Sequence, residues 1–122
     1  MARQLPSWQF LSAMGVAMVL LDLIYFQFIT PMWRSMVKGI QGHSMKLRLA
    51  PAILVYAVMV LLASYFPTNA TDAFLLGAGV YAVFDLTSYA LFTKWSIPVS
   101  IVDIVWGGIL FSTSRAIAQR IV

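Results

Sequence analysis

Four of the 122 residues are acidic, and all four are aspartates. Asp22, Asp85 and Asp103 each fall inside a long apolar run, whereas Asp72 lies in a polar stretch. A carboxylate near the centre of a bilayer costs about 2.5–3.5 kcal/mol on insertion scales, so such residues face a bundle interior or a wet cavity. Gathered together, carboxylates can exchange a proton, hold a cation or act on a lipid head group. Like charges cannot all ionise side by side at low dielectric, so a converged set shares a proton or binds a cation.

Polar companions recur around each acid at helical spacing. Gly15, Met18, Asp22, Tyr25 and Ile29 form one stripe. Gly77, Tyr81, Asp85, Ser88 and Phe92 form a second, with Tyr89 beside it. Ser96, Ser100, Asp103 and Gly107 form a third, with Trp106 adjacent. Hydroxyl, phenol and indole groups three or four residues from a carboxylate share its helix face and can donate to it. Tyr25, Tyr56, Tyr81, Ser88, Tyr89, Ser100 and Trp106 are therefore the expected lining of a three-aspartate site. For a single buried aspartate, the simpler role is a structural clip between helices.

The elements that must position these groups follow from composition. The chain is 61% hydrophobic and 10% charged, with a mean hydropathy of +0.88. A soluble domain is about 45–50% apolar and about 25% charged, and disorder needs low hydrophobicity with high charge. Both classes are excluded. A span takes roughly 20 apolar residues, so the chain holds about four and little else. The expected spans cover about 8–30, 48–66, 72–92 and 97–118 in a single domain over 1–122. Pro31 closes the first, and Pro51 and Pro98 lie in the first turns of the second and fourth. Thr71 or Asp72 can cap the third. The expected architecture is an all-α integral membrane protein, a four-helix transmembrane bundle.

Between spans one and two, Trp33, Met36, Val37 and Ile40 keep an i, i+3, i+4, i+7 pattern with Arg34, Lys38 and Gln41 opposite. That pattern predicts a short interfacial amphipathic helix. The alternative is a kinked continuation of span one past Pro31.

Depth brings the acids together. Asp22 and Asp85 lie about eight residues before the ends of their spans, and Asp103 about six after the start of its own. All three ends belong to the membrane side of the first and third connections. At 1.5 Å per residue each acid is roughly 9–12 Å inside that boundary. Tyr56 falls near the same level on span two. Leu21-Asp22-Leu23 and Phe84-Asp85-Leu86 also match at an offset of 63, a weak sign of duplicated hairpins.

The formal net charge is +4. Because the cations flank apolar runs, anionic lipid head groups rather than nucleic acid are the expected partner. Arg34, Lys38, Lys46 and Arg48 are the expected head-group contacts. Those four with Lys94 lie on one membrane side, against Arg3, Arg115 and Arg120 on the other. Five against three leans to cytoplasmic first and third connections with both termini outside. Stripes of small residues, Gly108, Ser112 and Ala116 with Ala73 and Gly77, suit close helix contact and leave a homo-oligomer open.

Other chemistry has little to stand on. The chain has no cysteine, which removes thiolate metal sites and Cys nucleophiles. His43 is the single histidine and reads as a surface residue. Phosphate-loop, dinucleotide, zinc-protease and serine-hydrolase patterns are absent. Neither a metal nor a cofactor is expected, and no catalytic residue is assigned.

Leu21 to Tyr25, the Leu49-Ala50-Pro51-Ala52 to Tyr56 stretch, Phe84-Asp85-Leu86-Thr87-Ser88 and Asp103-Ile104-Val105-Trp106-Gly107 together give a resemblance. The chain resembles a family of small four-helix membrane proteins of bacteria and large DNA viruses, known only as a domain of unknown function. Tyr25, Phe84 and Ser88 stand where that pattern has Trp, Tyr and Asn. The resemblance implies four spans and marks Asp22, Asp85, Asp103 and Trp106 as signature positions. It implies no activity. Three functions are left: proton or cation binding, permeation or transport at the aspartates; a lipid-binding or lipid-modifying enzyme or accessory protein; and a structural or assembly subunit.

Overall fold

A computed structural model describes residues 4–122. Four helices follow in order: α1 Trp8–Gln41, α2 Leu49–Tyr65, α3 Ala70–Leu91 and α4 Ile97–Ile121. No strand occurs among the described residues. α1, α3 and α4 are long and apolar enough to cross a membrane, and α2 is a shorter apolar helix of 17 residues. The all-α four-helix reading of the sequence holds. Arg3, counted above on the side of the termini, lies outside the described residues.

Caps set the helix starts. Ser7 Oγ accepts from the Phe10 N–H at 3.2 Å, and Ser96 Oγ from the Val99 N–H at 3.2 Å. α3 is capped by Asn69, one turn earlier than expected at Thr71 or Asp72. Asn69 Oδ1 accepts from the Asp72 N–H at 2.8 Å, while the Asp72 carboxylate turns back to the Thr68 hydroxyl at 2.8 Å. The reciprocal arrangement satisfies both a free helix-start N–H and the acid. It also uses up the one aspartate that sits outside the apolar runs.

The largest departure from expectation is at Pro31. α1 does not stop there but runs through it to Gln41, 34 residues in all. No separate interfacial helix exists. Proline removes one helical N–H, yet membrane helices tolerate it where neighbouring packing holds the segment. Met36 is buried with Trp95 and Val99, and Trp33 and Ile40 pack against them. The Ser96 N–H donates to Met36 Sδ at 3.2 Å, and Lys94 Nζ donates to the Gly39 carbonyl at 3.2 Å. The stripe of Trp33, Met36, Val37 and Ile40 is thus apolar for a reason, but it seats on the α3–α4 turn rather than the bilayer surface. Gly42, at φ 81°, then ends α1 with its N–H on the Lys38 carbonyl at 2.9 Å. Only glycine takes that left-handed conformation without cost.

α4 is the central helix. It packs most extensively on α3 and next on α1, while α2 rests mainly against α1. The α3–α4 seam is made by close backbone approach. A Cβ on Gly77 would lie 2.1 Å from the Gly107 carbonyl oxygen, and one on Gly107 would lie 2.5 Å from the Tyr81 ring. Small residues allow this crossing in a membrane, where no hydrophobic drive pulls helices together. Ala73, Gly77 and Gly108 are buried in the seam as expected, but Ala116 is exposed and takes no part.

The bundle has two unlike halves. Towards the termini it is filled by Met14 and Met18 of α1, Met59 and Ala63 of α2, Ala73 of α3, and Leu110, Phe111 and Ala118 of α4. Towards the first and third connections lie the aspartates.

Candidate functional site

All three intramembrane aspartates face the interior: Asp22 is 3% exposed, Asp85 0% and Asp103 6%. The three helices that carry them are held together by the Gly77–Gly107 crossing and by α1 packing on α4. Their surroundings differ.

Asp22 is saturated by donors. Trp106 Nε1–H donates to Asp22 Oδ1 at 2.7 Å, and the Tyr56 hydroxyl donates to Asp22 Oδ2. One carboxylate thereby ties α1 to both α2 and α4. The indole of Trp106 stacks on the Tyr25 ring, with centroids 4.5 Å apart and planes 4° from parallel. The Tyr25 hydroxyl reaches on to Asp103 Oδ1 at 3.4 Å. Tyr25 lies within electrostatic reach of all three acids, and Tyr81 within reach of Asp22 and Asp103.

Asp85 is the opposite case. Both of its carboxyl oxygens are buried, and neither meets an N–H or O–H donor. The groups within hydrogen-bonding reach are the carboxyl of Asp103 and the Trp95 indole. The indole N–H, however, is committed to Ser100 Oγ at 3.0 Å. Ser100 in turn donates to the Ser96 carbonyl at 2.9 Å. Two acceptors facing one another in an apolar surround need a proton or a cation between them. Among the described residues no set of three His, Cys, Asp or Glu side chains gathers closely enough to hold a metal ion.

One connected set of side chains thus crosses the bundle. It runs Tyr56, Asp22, Trp106, Tyr25, Asp103, Asp85, with Trp95 and Ser100 at the end nearest the third connection. Of the expected lining, Tyr25, Tyr56 and Trp106 hydrogen-bond to acids, Tyr81 stands half-buried beside them, and Ser100 holds the Trp95 indole. Ser88 is buried on the Asp85 face. Tyr89 is 47% exposed on the outer face of α3 and does not join them. Arg34, Lys38, Lys46 and Arg48 are all exposed at the end of the first and third connections.

Trp95 is the residue that sequence reasoning missed. It lies in the third connection, between α3 and α4. The available signal was an indole five residues before Ser100 on the Asp103 stripe, next to the basic residue that ends the third connection. Its burial rests on Trp33, 5.3 Å away edge-on, and on Phe84 at 5.8 Å and Phe92 at 6.1 Å. Trp33 reaches it because α1 continues past Pro31.

Three candidate spans, a further apolar helix and a buried polar network define an integral membrane helical bundle. The chain belongs to the predicted membrane protein family DUF2177, which it matches over residues 8–119. No curated protein and no solved structure matches it.

Proposed function

We propose that Asp85 and Asp103 form a proton-exchanging carboxyl pair, and that the protein uses it to move protons, or a small cation in their place, across the membrane. One observation carries this reading: a fully buried carboxyl whose two oxygens meet no donor and face a second carboxyl. An O–H···O⁻ bond between the two supplies the missing partner, and the same pair releases it when the site opens. Intramembrane carboxyls in such settings mark proton and ion pathways. Asp22, held by Tyr56 and Trp106, fixes the helices around the pair. Tyr25 stabilises whichever form leaves charge on Asp103.

The surroundings give the pair a preferred side. Between it and the first and third connections stand Ser100, Ser96 and the Trp95 indole, set among the apolar Met36, Val99 and Trp33. In the other direction lie Met14, Met18, Leu110 and Phe111 of the apolar half. Exchange from the side of the connections is the easier route, and release to the other side requires the apolar half to part.

The test is proton flux into liposomes that enclose a pH-sensitive dye, with potential clamped by potassium and valinomycin. The full chain should acidify the lumen well above protein-free vesicles. Asp85→Asn and Asp103→Asn should each lower the rate at least tenfold. Asp72→Asn, at the exposed α3 cap, should leave it unchanged. Flux equal to empty vesicles under both proton and sodium gradients, or flux indifferent to Asp85 and Asp103, would sink the proposal.

A further inference from the structure

The first and third connections end the molecule in uncompensated positive charge. Arg34, Lys38, Lys46, Arg48 and Lys94 are all exposed there. Three of the four aspartates are buried inside the bundle, and the fourth lies in the first turn of α3 at the far end. No acid of the described chain therefore answers these five cations.

A groove of about 540 Å³ opens at this end between the α1 extension and the start of α4. Its apolar floor is Pro31, Met32, Met36 and Val99, and its polar side is Ser35, Lys94 and Ser96. Pro31 and Ile97 mark where apolar sequence gives way to the polar connections, so the groove lies at the depth of lipid head groups. On α1, Pro31, Arg34, Ser35 and Lys38 follow i, i+3, i+4, i+7 and share one face. By this spacing Arg34 and Lys38 flank the Pro31 edge of the groove, outside its lining, while Lys94 lines the opposite wall. The Lys94 ammonium spends one donor on the Gly39 carbonyl, which fixes it over the groove and leaves two free.

We infer that this groove is a binding site for an anionic phospholipid of the surrounding bilayer. The head-group phosphate sits among Lys94, Arg34 and Lys38 and accepts from Ser35, and an acyl chain runs down over Met32 and Val99. Charge complementarity selects the occupant: Lys94 in the lining, Arg34 and Lys38 exposed at its edge and no acid favour an anionic head group over a neutral or cationic one. The mixed floor and rim select a lipid over a soluble anion. This site is independent of the carboxyl pair and of its proposed role. It requires the continuous α1, because a helix ended at Pro31 would not carry Arg34, Ser35 and Lys38 alongside Lys94.

Native mass spectrometry of the full chain released from vesicles of equal phosphatidylglycerol and phosphatidylcholine tests the inference. The wild-type chain should retain phosphatidylglycerol at least fivefold over phosphatidylcholine. The triple variant Arg34→Gln, Lys38→Gln, Lys94→Gln should bring that ratio near one. Ser35→Trp, which fills the groove and leaves every charge in place, should also lower it at least threefold. The double variant Lys46→Gln, Arg48→Gln removes charge from the same end away from the groove and should keep the wild-type ratio. An equal loss in the double variant would assign the preference to diffuse surface potential and overturn the site. So would a triple or Ser35→Trp variant that behaves as wild type. Displacement of the lipid by free glycerol phosphate at lipid-equivalent concentration would replace the lipid by a soluble anion and likewise overturn it.

Discussion

Asp22 and Asp85 are the same residue, both buried in the same bundle, and they are solved in opposite ways. Asp22 accepts from an indole of α4 and a phenol of α2. Asp85 has beside it only another carboxyl and the Trp95 indole, whose N–H goes to Ser100. A buried polar group that is fully paired stabilises and specifies a fold, whereas one left unpaired costs about 1–3 kcal/mol. By that measure Asp22 is a clip that holds α1, α2 and α4 in register. Asp85 is a group the fold carries at a cost, and such costs gather at sites with work to do. On the proposed function, the three acids divide into one structural carboxylate and one proton-sharing pair.

The largest effect that can break this division is at Asp22. Asp22→Ala strands the Trp106 N–H and the Tyr56 hydroxyl together. At about 1–3 kcal/mol for each lost partner, and with both rings half-buried, the loss should be about 2–4 kcal/mol. Unfolding in mixed micelles, followed by the near-ultraviolet signal of the Trp106–Tyr25 stack, measures it. Stability unchanged to within 0.5 kcal/mol, on the order of a neutral surface substitution, would mean Asp22 clips nothing. A somewhat smaller effect is expected from Gly77→Ala. Its methyl meets the Gly107 carbonyl, so α3 and α4 must separate. Overpacking of this kind costs about 1–3 kcal/mol. The shift parts Asp85 from Asp103 but leaves Tyr56 on Asp22. Proton flux should therefore fall further than the change in stability alone accounts for.

Much of this arrangement was legible from residue spacing. The rise per residue and the short connections put the three acids at one level, and the stripes placed Tyr25, Tyr81 and Trp106 on the inner faces. Periodicity could not say which acid each donor would choose. That depends on the rotation of each helix about its axis, which the Gly77–Gly107 crossing sets. Tyr89 shows the same limit: one residue from Ser88, it turns outward. Pro31 was misleading because local propensity ends a helix there, while the packing of Met36 on Trp95 and Val99 carries it on. The apolar stripe beyond Pro31 was read correctly as amphipathic but matched to the wrong surface. A stripe shows that something apolar covers it and does not say whether that is lipid or protein. Trp95 went unseen for the same reason, since its burial depends on Trp33 from a helix expected to have ended.

The smallest effect should have the opposite sign from the others. In Asp85→Asn the amide offers two N–H donors where the carboxyl pair has one shared proton between them. Whichever of these faces Asp103 can donate to its carboxylate. A hydrogen bond to a charged group contributes about 1.5–3 kcal/mol, part of which is offset by the amide's own remaining donor if it finds no partner. A net gain of about 1 kcal/mol is expected, so the variant should unfold later than wild type in the assay that shows Asp22→Ala unfolding earlier. Asp22→Asn supplies the internal control. There the amide turns a donor towards Trp106 or Tyr56, both themselves donating, and stability should fall. The two Asp→Asn changes are chemically identical and differ only in what faces them. Gains at Asp85 with losses at Asp22 follow directly from one carboxyl lacking donors and the other being surrounded by them. If Asp85→Asn instead loses stability as Asp22→Asn does, Asp85 has a donor besides Asp103 in the folded protein, the Trp95 indole being the nearest. The pair would then be a second clip, and the contrast between the two aspartates would vanish.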